Sequence, residues 1–132
     1  MAEFRQLNLG QLVRQHFEQQ AFSIGMLTHS GTVMAADDWN MPFKLKTLLP
    51  AHPNSNEALF HRLGIANFVL FVHQAPELIE FLNETRLQRH VGVVYRPDEE
   101  MKSHYSHTHL ASQFDAIIYN DVTTAISLLK RQ

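Results

Sequence analysis

The middle of the sequence places a short, wholly apolar run between two segments that favour helices, and this order constrains the fold most. Residues 68–72 are all apolar, as expected for a strand that is covered on both faces. Asn54 and Glu57 precede the run in a capping-box pattern, which predicts a short helix ending at Gly64. Pro76 follows the run and suits the first turn of a second helix. Strands between helices are typical of α/β proteins.

Spacing patterns extend this alternation along the chain. Asn8 caps a predicted helix whose apolar stripe runs from Leu9 to Phe17. Residues 43–49 alternate, with Lys44 and Lys46 on the face that we expect to be wet, which indicates an antiparallel strand. The other predicted features are strands at 21–27, 32–36, 91–95 and 114–119, a turn at Ser30-Gly31, a helix at 76–84, an irregular polar segment at 96–109 and a last short element at 122–129. We therefore predict one α/β domain over residues 1–132, a mixed sheet with at least one antiparallel edge strand and helices packed on it.

Composition and charge exclude several classes of protein. The 132 residues include no cysteine, which excludes disulfide frameworks, thiolate zinc sites and cysteine nucleophiles. Eleven basic residues stand against thirteen acidic ones, a net charge of -2, so we expect no nucleic-acid partner. The longest apolar run is far shorter than a bilayer span, and the first residues lack the apolar run of a signal peptide. We expect a cytoplasmic protein that does not bind membranes.

Three closely spaced histidines raise the question of a metal site. His104, His107 and His109 lie in the segment Ser-His-Tyr-Ser-His-Thr-His, and three imidazoles can hold zinc with a fourth position left for water. Neither a helix nor a strand places all three on one face, so only a bent loop brings them together. A solvated loop and a His-rich metal-binding domain are the alternatives, and our prediction includes no cofactor.

Two other groups of polar residues could carry chemistry. Glu57 and His61 are four residues apart on a predicted helix, where a carboxylate can raise the basicity of an imidazole and make it a general base. A plain helix-surface pair is the alternative. Asp121 follows a predicted strand and either lines a crevice at its end or caps the next element. Ser30 beside His29 is expected to be a turn residue, because the Gly-x-Ser-x-Gly elbow is absent.

Five segments of the chain, taken in order, resemble parts of one family. They are Leu7-Asn8-Leu9-Gly10-Gln11-Leu12-Val13-Arg14; Gly25 with Thr32-Val33-Met34-Ala35-Ala36 and Trp39; Ser55-Asn56-Glu57-Ala58-Leu59-Phe60-His61; Val91-Gly92-Val93-Val94-Tyr95-Arg96-Pro97 with Glu100 and Ser103-His104-Tyr105; and Gln113-Phe114-Asp115-Ala116 with Asp121. They resemble the C-terminal third of erythromycin-esterase-like hydrolases, and the resemblance covers roughly residues 7–129.

The resemblance implies a function and a set of site residues. Members of this family hydrolyse esters or lactones with activated water, so the implied partner is a small ester or lactone substrate. By resemblance, His104 and Glu57 are the candidate catalytic residues. His61, Arg96 and Tyr105 are the candidate substrate-binding residues. The resemblance implies no metal and no covalent nucleophile.

The sequence also departs from the family pattern. The family's water-activating Glu and His residues lie upstream, including a Trp-Ala-His-Asn-like segment expected shortly before Leu7, and this sequence has no such segment. Asn56 stands where the family usually has Tyr, and Ser106 where it usually has Phe. We expect a C-terminal portion of such a hydrolase that is inactive alone. The alternative is a homodimer or a module that docks on a partner through an exposed sheet edge.

Overall fold

The structure is a computed structural model that describes residues 8–127 and residue 129. Over these residues the chain forms five α-helices and six β-strands. The helices are α1 (Leu9–Phe17), α2 (Asn56–His61), α3 (Pro76–Leu82), α4 (Glu100–Ser103) and α5 (Leu110–Gln113). The strands are β1 (Ile24–Ala36), β2 (Phe43–Leu48), β3 (Asn67–Phe71), β4 (Arg86–Arg89), β5 (Tyr105–Thr108) and β6 (Ala116–Thr123). Short 3₁₀ turns occur at Glu18–Gln20, Val72–Gln74 and Pro97–Glu99.

Four of the strands form a mixed sheet in the order β2-β1-β6-β3. The two central strands, β1 and β6, are parallel, while β2 and β3 are antiparallel to their neighbours and form the two edges. A separate antiparallel pair joins β4 to β5. This architecture confirms the predicted α/β class with a mixed sheet, antiparallel edge strands and helices packed on it.

The main core lies between one face of the sheet and three helices. Leu27, Ile117 and Tyr119 from the sheet pack with Phe60 of α2 and Leu82 of α3, and the cluster also includes Leu110 of α5 and Val72. Burying each of these side chains contributes about 1.5–3 kcal/mol. A smaller cluster of Ala35, Leu48 and Tyr95 packs beside the β1–β2 pair.

The opposite face of the sheet is apolar and exposed. Met26 lies opposite Ile118, which lies opposite Val69, so one row of apolar side chains crosses three strands. We call this surface the open sheet face; its exposed apolar residues are Ile24, Met26, Phe43, Leu45, Val69, Phe71 and Val122. Apolar surfaces of this extent on soluble domains mark interaction sites.

The first helix has the predicted bounds. The Asn8 side chain accepts a hydrogen bond from the Gln11 backbone N–H at 2.8 Å, and the helix runs from Leu9 to Phe17. Its apolar stripe is exposed, with no residue of α1 buried. One link between α1 and the sheet domain is the ion pair of Arg14 with Asp115.

The predicted turn at Ser30-Gly31 is wrong, because β1 continues through it as one strand of 13 residues. Gly31 lies opposite Thr123 of β6 and Leu48 of β2, in the middle of the sheet. Its φ of +135° and its close approach to Thr123 explain the glycine: a Cβ atom there would lie 1.9 Å from the Thr123 carbonyl oxygen. A glycine required by strand packing was therefore mistaken for a turn signal.

Strand β2 forms as predicted, but the face expected to be wet is the covered one. The Lys46 side chain is only 9% exposed, and its ammonium group donates to the Tyr95 carbonyl oxygen and contacts the Asp37 carboxylate at 2.5 Å each. Leu48 shares this face and is buried, whereas Leu45, on the other face, is 65% exposed. A lysine can bury its methylene stem while its charge is paired, so alternation alone did not identify the core side.

The two helices that flank the apolar run both form, although the first has a different capping residue from the one predicted. Ser55, rather than Asn54, caps α2, since its hydroxyl accepts the Ala58 N–H at 3.1 Å. Pro76 begins α3 as predicted. The strand expected to be covered on both faces is β3, which lies at the sheet edge with Val69 and Phe71 exposed.

The region after α3 differs most from the prediction. The polar segment Arg86–Arg89 forms β4, which no alternation of apolar residues indicated. Residues 91–95 form no strand; Val94 makes an isolated bridge with Ala36, and Tyr95 packs with Ala35 of β1. The segment 96–109 contains α4 and β5 rather than an irregular loop. The predicted last strand extends to Thr123. A further short element was predicted at 122–129, but residues 124–127 and 129 lie in no helix or strand, and residue 128 lies outside the described residues.

Within the part of the chain that the structure describes, no helix is long and apolar enough to cross a lipid bilayer.

Candidate functional site

Glu57 lies in the first turn of α2 and is almost fully buried, with 2% of its surface exposed. Its Oε1 accepts a hydrogen bond from the Arg89 backbone N–H at 3.0 Å, while its Oε2 has no hydrogen-bond partner among the described residues. Burial raises the pKa of the Glu57 carboxyl, and its hydrogen bonds and the Arg89 charge oppose this only in part. The Glu57 carboxyl therefore ionises at a higher pH than the carboxyl of an exposed glutamate.

Arg89 connects Glu57 to a buried polar network. Its side chain is 2% exposed, and its guanidinium donates to the carbonyl oxygens of Leu49, Thr28 and His29 and to Glu100 Oε1 at 3.0 Å. The Tyr95 hydroxyl donates to the same oxygen of Glu100 at 2.8 Å. Every contact of this network fixes a main-chain segment or a charge, so its role is to hold the loops around the site in place.

Three polar side chains converge on the helix-covered side of the sheet. His61, the last residue of α2, places its Nδ1 2.7 Å from Asp121 Oδ1, and the Tyr119 hydroxyl donates to the same oxygen at 2.6 Å. The His29 ring stacks on the His61 ring, with 3.8 Å between centroids and 10° between planes. Ligand atoms of His29, His61 and Asp121 all lie within 4.8 Å of one another. We call these three residues the His-His-Asp cluster.

The cluster has a defined electrostatic character. Burial lowers the pKa of His29, and the adjacent His61 lowers it further. Hydrogen bonds from Tyr119 and His61 lower the pKa of Asp121. Near neutral pH the cluster therefore combines a neutral imidazole with an ionised carboxylate.

His104 has both ring nitrogens engaged by main-chain groups. Its Nε2 accepts the Arg96 N–H at 3.0 Å, and its Nδ1 lies 3.1 Å from the His90 carbonyl oxygen, to which it donates. This pattern requires the neutral tautomer with the proton on Nδ1. A buried imidazole held in this way positions the chain segment that carries Arg96.

Arg96 and Tyr105 lie on either side of His104 in the sequence. The Arg96 side chain forms ion pairs with Asp38 and Glu99 and borders a groove of about 300 Å³ that Trp39 and His104 also line. The Tyr105 hydroxyl accepts the backbone N–H of His52 at 2.8 Å, and burial raises its pKa.

The comparisons with known proteins decide the family. The family model described as erythromycin esterase matches residues 1–123. The chain belongs to the erythromycin esterase family. This finding confirms the resemblance stated above and supports a hydrolase-like ancestry for the fold.

Two solved structures share the fold of this erythromycin esterase family chain. A protein from Bacillus cereus has a TM-score of 0.73 and 20% identity over 87% of this chain. A structure described as a succinoglycan biosynthesis protein has a TM-score of 0.68 and 19% identity over 89% of this chain. In each case the match covers 28% of the other protein, so this chain spans less than a third of their length.

The structure brings together only some of the residues predicted from the erythromycin esterase resemblance. His104 and Arg96 are in contact, and Glu57 reaches the same region through Arg89 and Glu100, which accepts the His104 N–H. His61 does not pair with Glu57, because its ring bonds Asp121 instead. The catalytic and substrate-binding roles of these residues stay predictions.

Two residues near the site were not identified from the sequence. His29 was considered only as a neighbour of Ser30 in a turn, and Arg89 lay outside every predicted element. The signal for His29 was present: its strand and that of Asp121 both have apolar alternation, and pairing them in parallel places the two side chains on one face. Nothing in the local sequence distinguishes Arg89 from a surface arginine.

Proposed function

We propose that this chain is the C-terminal portion of an erythromycin esterase family hydrolase that opens an ester or lactone bond with activated water. The observation that carries the proposal is the family match over residues 1–123. The two solved proteins of the same fold are more than three times as long as the matched part. A complete family enzyme therefore contains further polypeptide around the fold described here.

The open sheet face supports this relation to a larger protein. Its apolar side chains form a continuous layer on strands whose other face is packed by helices, which is how the central sheet of a two-sided α/β protein is built. In the complete enzyme this face is covered by the polypeptide that precedes the fold.

Glu57 and the residues linked to it are this chain's contribution to the pocket. A buried carboxyl with a raised pKa and one oxygen without a partner keeps its proton to a higher pH than an exposed glutamate does, which favours a role in proton transfer. His104 positions Arg96, which lines the groove and is the proposed donor to a substrate oxygen. The water-activating Glu and His of the family are supplied by segments other than these, so the chain alone does not turn over esters.

The first experiment measures hydrolysis of an aryl ester and of a macrolide lactone by the purified chain. We expect no turnover above that of a heat-denatured sample. Turnover that disappears in the Glu57→Gln variant would contradict the proposal, because it would show a complete catalytic set within this chain.

A chimaera tests the hydrolase assignment itself. This chain would replace the matching segment of an erythromycin esterase that hydrolyses a macrolide lactone. We expect a folded, active chimaera whose kcat falls by about 10²-fold or more with Glu57→Gln, while the exposed substitution Glu80→Gln leaves kcat unchanged. A folded chimaera without activity would overturn the assignment.

Self-association is a second candidate function, favoured by the exposed edges β2 and β3 and by the open sheet face. With no other polypeptide to cover this face, we propose that two copies bury it against each other. Sedimentation at several protein concentrations should then show a concentration-dependent dimer. A strict monomer at every concentration would exclude this candidate.

A further inference from the structure

We propose that His29, His61 and Asp121 form a binding site for a divalent transition-metal ion of the Zn²⁺ class. The proposal does not depend on ester hydrolysis, because it is based on the donor atoms and their placement. It also differs from the sequence-based alternative, which placed a metal at three other histidines.

The fold itself brings the three side chains together. Strands β1 and β6 are parallel, and their register pairs Thr28 with Asn120 and Ser30 with Val122. His29 and Asp121 lie between these pairs, so their side chains project from neighbouring strands on the same face. Helix α2 packs on that face and ends at His61, which adds the third donor. The site is thus built from three regular elements rather than from one flexible loop, which favours precise ligand geometry.

The donor set suits zinc and related ions. Two imidazole nitrogens and a carboxylate oxygen are common ligands of Zn²⁺, and three protein ligands leave a position for water or substrate. His61 is 48% exposed on its side chain, so an ion can reach the cluster from solvent.

The hydrogen bonds around the cluster leave a nitrogen lone pair free and hold the carboxylate in place, which favours binding of a metal ion. An ionised Asp121 makes Nδ1 the protonated nitrogen of His61, which leaves the Nε2 lone pair free. The Tyr119 hydroxyl holds the Asp121 carboxylate from the core side, as outer-shell partners of metal ligands commonly do.

Binding requires the two imidazole rings to turn. They lie parallel with their centroids 3.8 Å apart, whereas a shared ion must lie close to the plane of each ring. Rotation of an imidazole about its Cβ–Cγ bond meets a broad, low barrier, and the half-exposed His61 has room for it. The change needed is a side-chain rotation on a fixed backbone.

The three histidines of the segment 104–109 do not offer an equivalent site. His104 is occupied by two main-chain hydrogen bonds, and His109 Nδ1 lies 2.9 Å from the Asn83 carbonyl oxygen. His107 is exposed on β5 opposite Leu87. These side chains point to different surroundings, which makes them suitable controls.

The experiment is a titration of the chelator-stripped chain with ZnCl₂ near neutral pH, followed by calorimetry and by thermal unfolding. We expect one Zn²⁺ per chain and a melting temperature that rises by several degrees when zinc is in about hundredfold excess over Kd. His29→Gln, His61→Gln and Asp121→Asn should each weaken binding about tenfold or more. The control variant His107→Gln/His109→Gln should bind zinc like the wild type.

Two results would overturn the proposal. The first is the absence of both binding heat and thermal stabilisation at high zinc. The second is binding that survives His61→Gln but is lost in His107→Gln/His109→Gln, which would move the site to the segment 104–109. Circular dichroism of each variant without zinc separates loss of a ligand from loss of the fold, since His61 is half-exposed and its replacement should leave the spectrum unchanged.

Discussion

Glu57 is the most deeply buried acidic side chain in the described part of the chain, and it is only half satisfied. One of its oxygens accepts the Arg89 N–H, while the other faces protein without a donor. An unpaired buried oxygen costs about 1–3 kcal/mol. Retaining such a group in a core is expected where a carboxyl group serves chemistry rather than stability.

Replacing Glu57 by Gln should therefore change how stability depends on pH. Because burial raises the pKa of Glu57, the folded state holds its proton more tightly than the unfolded state. Stability is then lost as the pH rises from the ordinary glutamate pKa, about 4.3, through the raised value. Glutamine does not ionise, so we expect the variant to match the wild type at about pH 4 and to exceed it at about pH 7.5.

Urea unfolding of both proteins across this pH range measures the difference. The exposed Glu80→Gln variant on α3 is the control and should follow the wild type throughout. A Glu57→Gln protein that loses stability relative to the wild type as the pH rises would show that the ionised carboxylate is the stabilised form.

Predictability from the sequence also differed between residues. Glu57 and His61 were found because their spacing on a helix is a local property. The pairing of His61 with Asp121 depends on packing α2 against β6, sixty residues further along the chain. The burial of Arg89 depends on three carbonyl oxygens contributed by two separate segments, at Thr28-His29 and at Leu49, and no local pattern encodes that.

At the scale of elements, signals that depend only on neighbouring residues predicted helices correctly. Features that depend on a strand remote in sequence were missed or misinterpreted. The side-chain cap at Asn8 and the proline that begins α3 predicted two helices correctly. Strand β4 was missed because Arg86–Arg89 is polar and is held by pairing with β5. The glycine at position 31 suggested a turn because its requirement comes from β6, which is remote in sequence.

The continuity of β1 gives a test at this scale. Gly31→Ala would place a methyl group against the Thr123 main chain and would force an alanine into a left-handed φ of +135°. We expect a loss of about 3 kcal/mol or more in the free energy of unfolding. Gly92→Ala is the matched control, since a Cβ there meets nothing within 4 Å, and it should change stability by less than about 0.5 kcal/mol. Denaturant unfolding compares the two, and a Gly31→Ala protein as stable as the wild type would contradict a continuous strand.

For the molecule as a whole, the sequence indicated the layers but not which sheet surface the helices cover. Alternation shows that two faces of a strand differ, and it leaves the choice of the covered face to the rest of the chain. In β2 the lysine-bearing face is the one packed, through Leu48 and the paired Lys46, while the more apolar face stays exposed.

The two faces of β2 should therefore lose unequal amounts of stability on the same substitution. Leu48→Ala removes a side chain that is 4% exposed and packs with Ala35 and Tyr95, so we expect a loss of about 2–4 kcal/mol in the free energy of unfolding. Leu45→Ala, on the open sheet face, should cost less than about 0.5 kcal/mol while it lowers self-association in sedimentation. Equal losses from both variants in denaturant unfolding would mean that the face of Leu45 is covered within this chain, and the relation to a larger enzyme would lose its structural support.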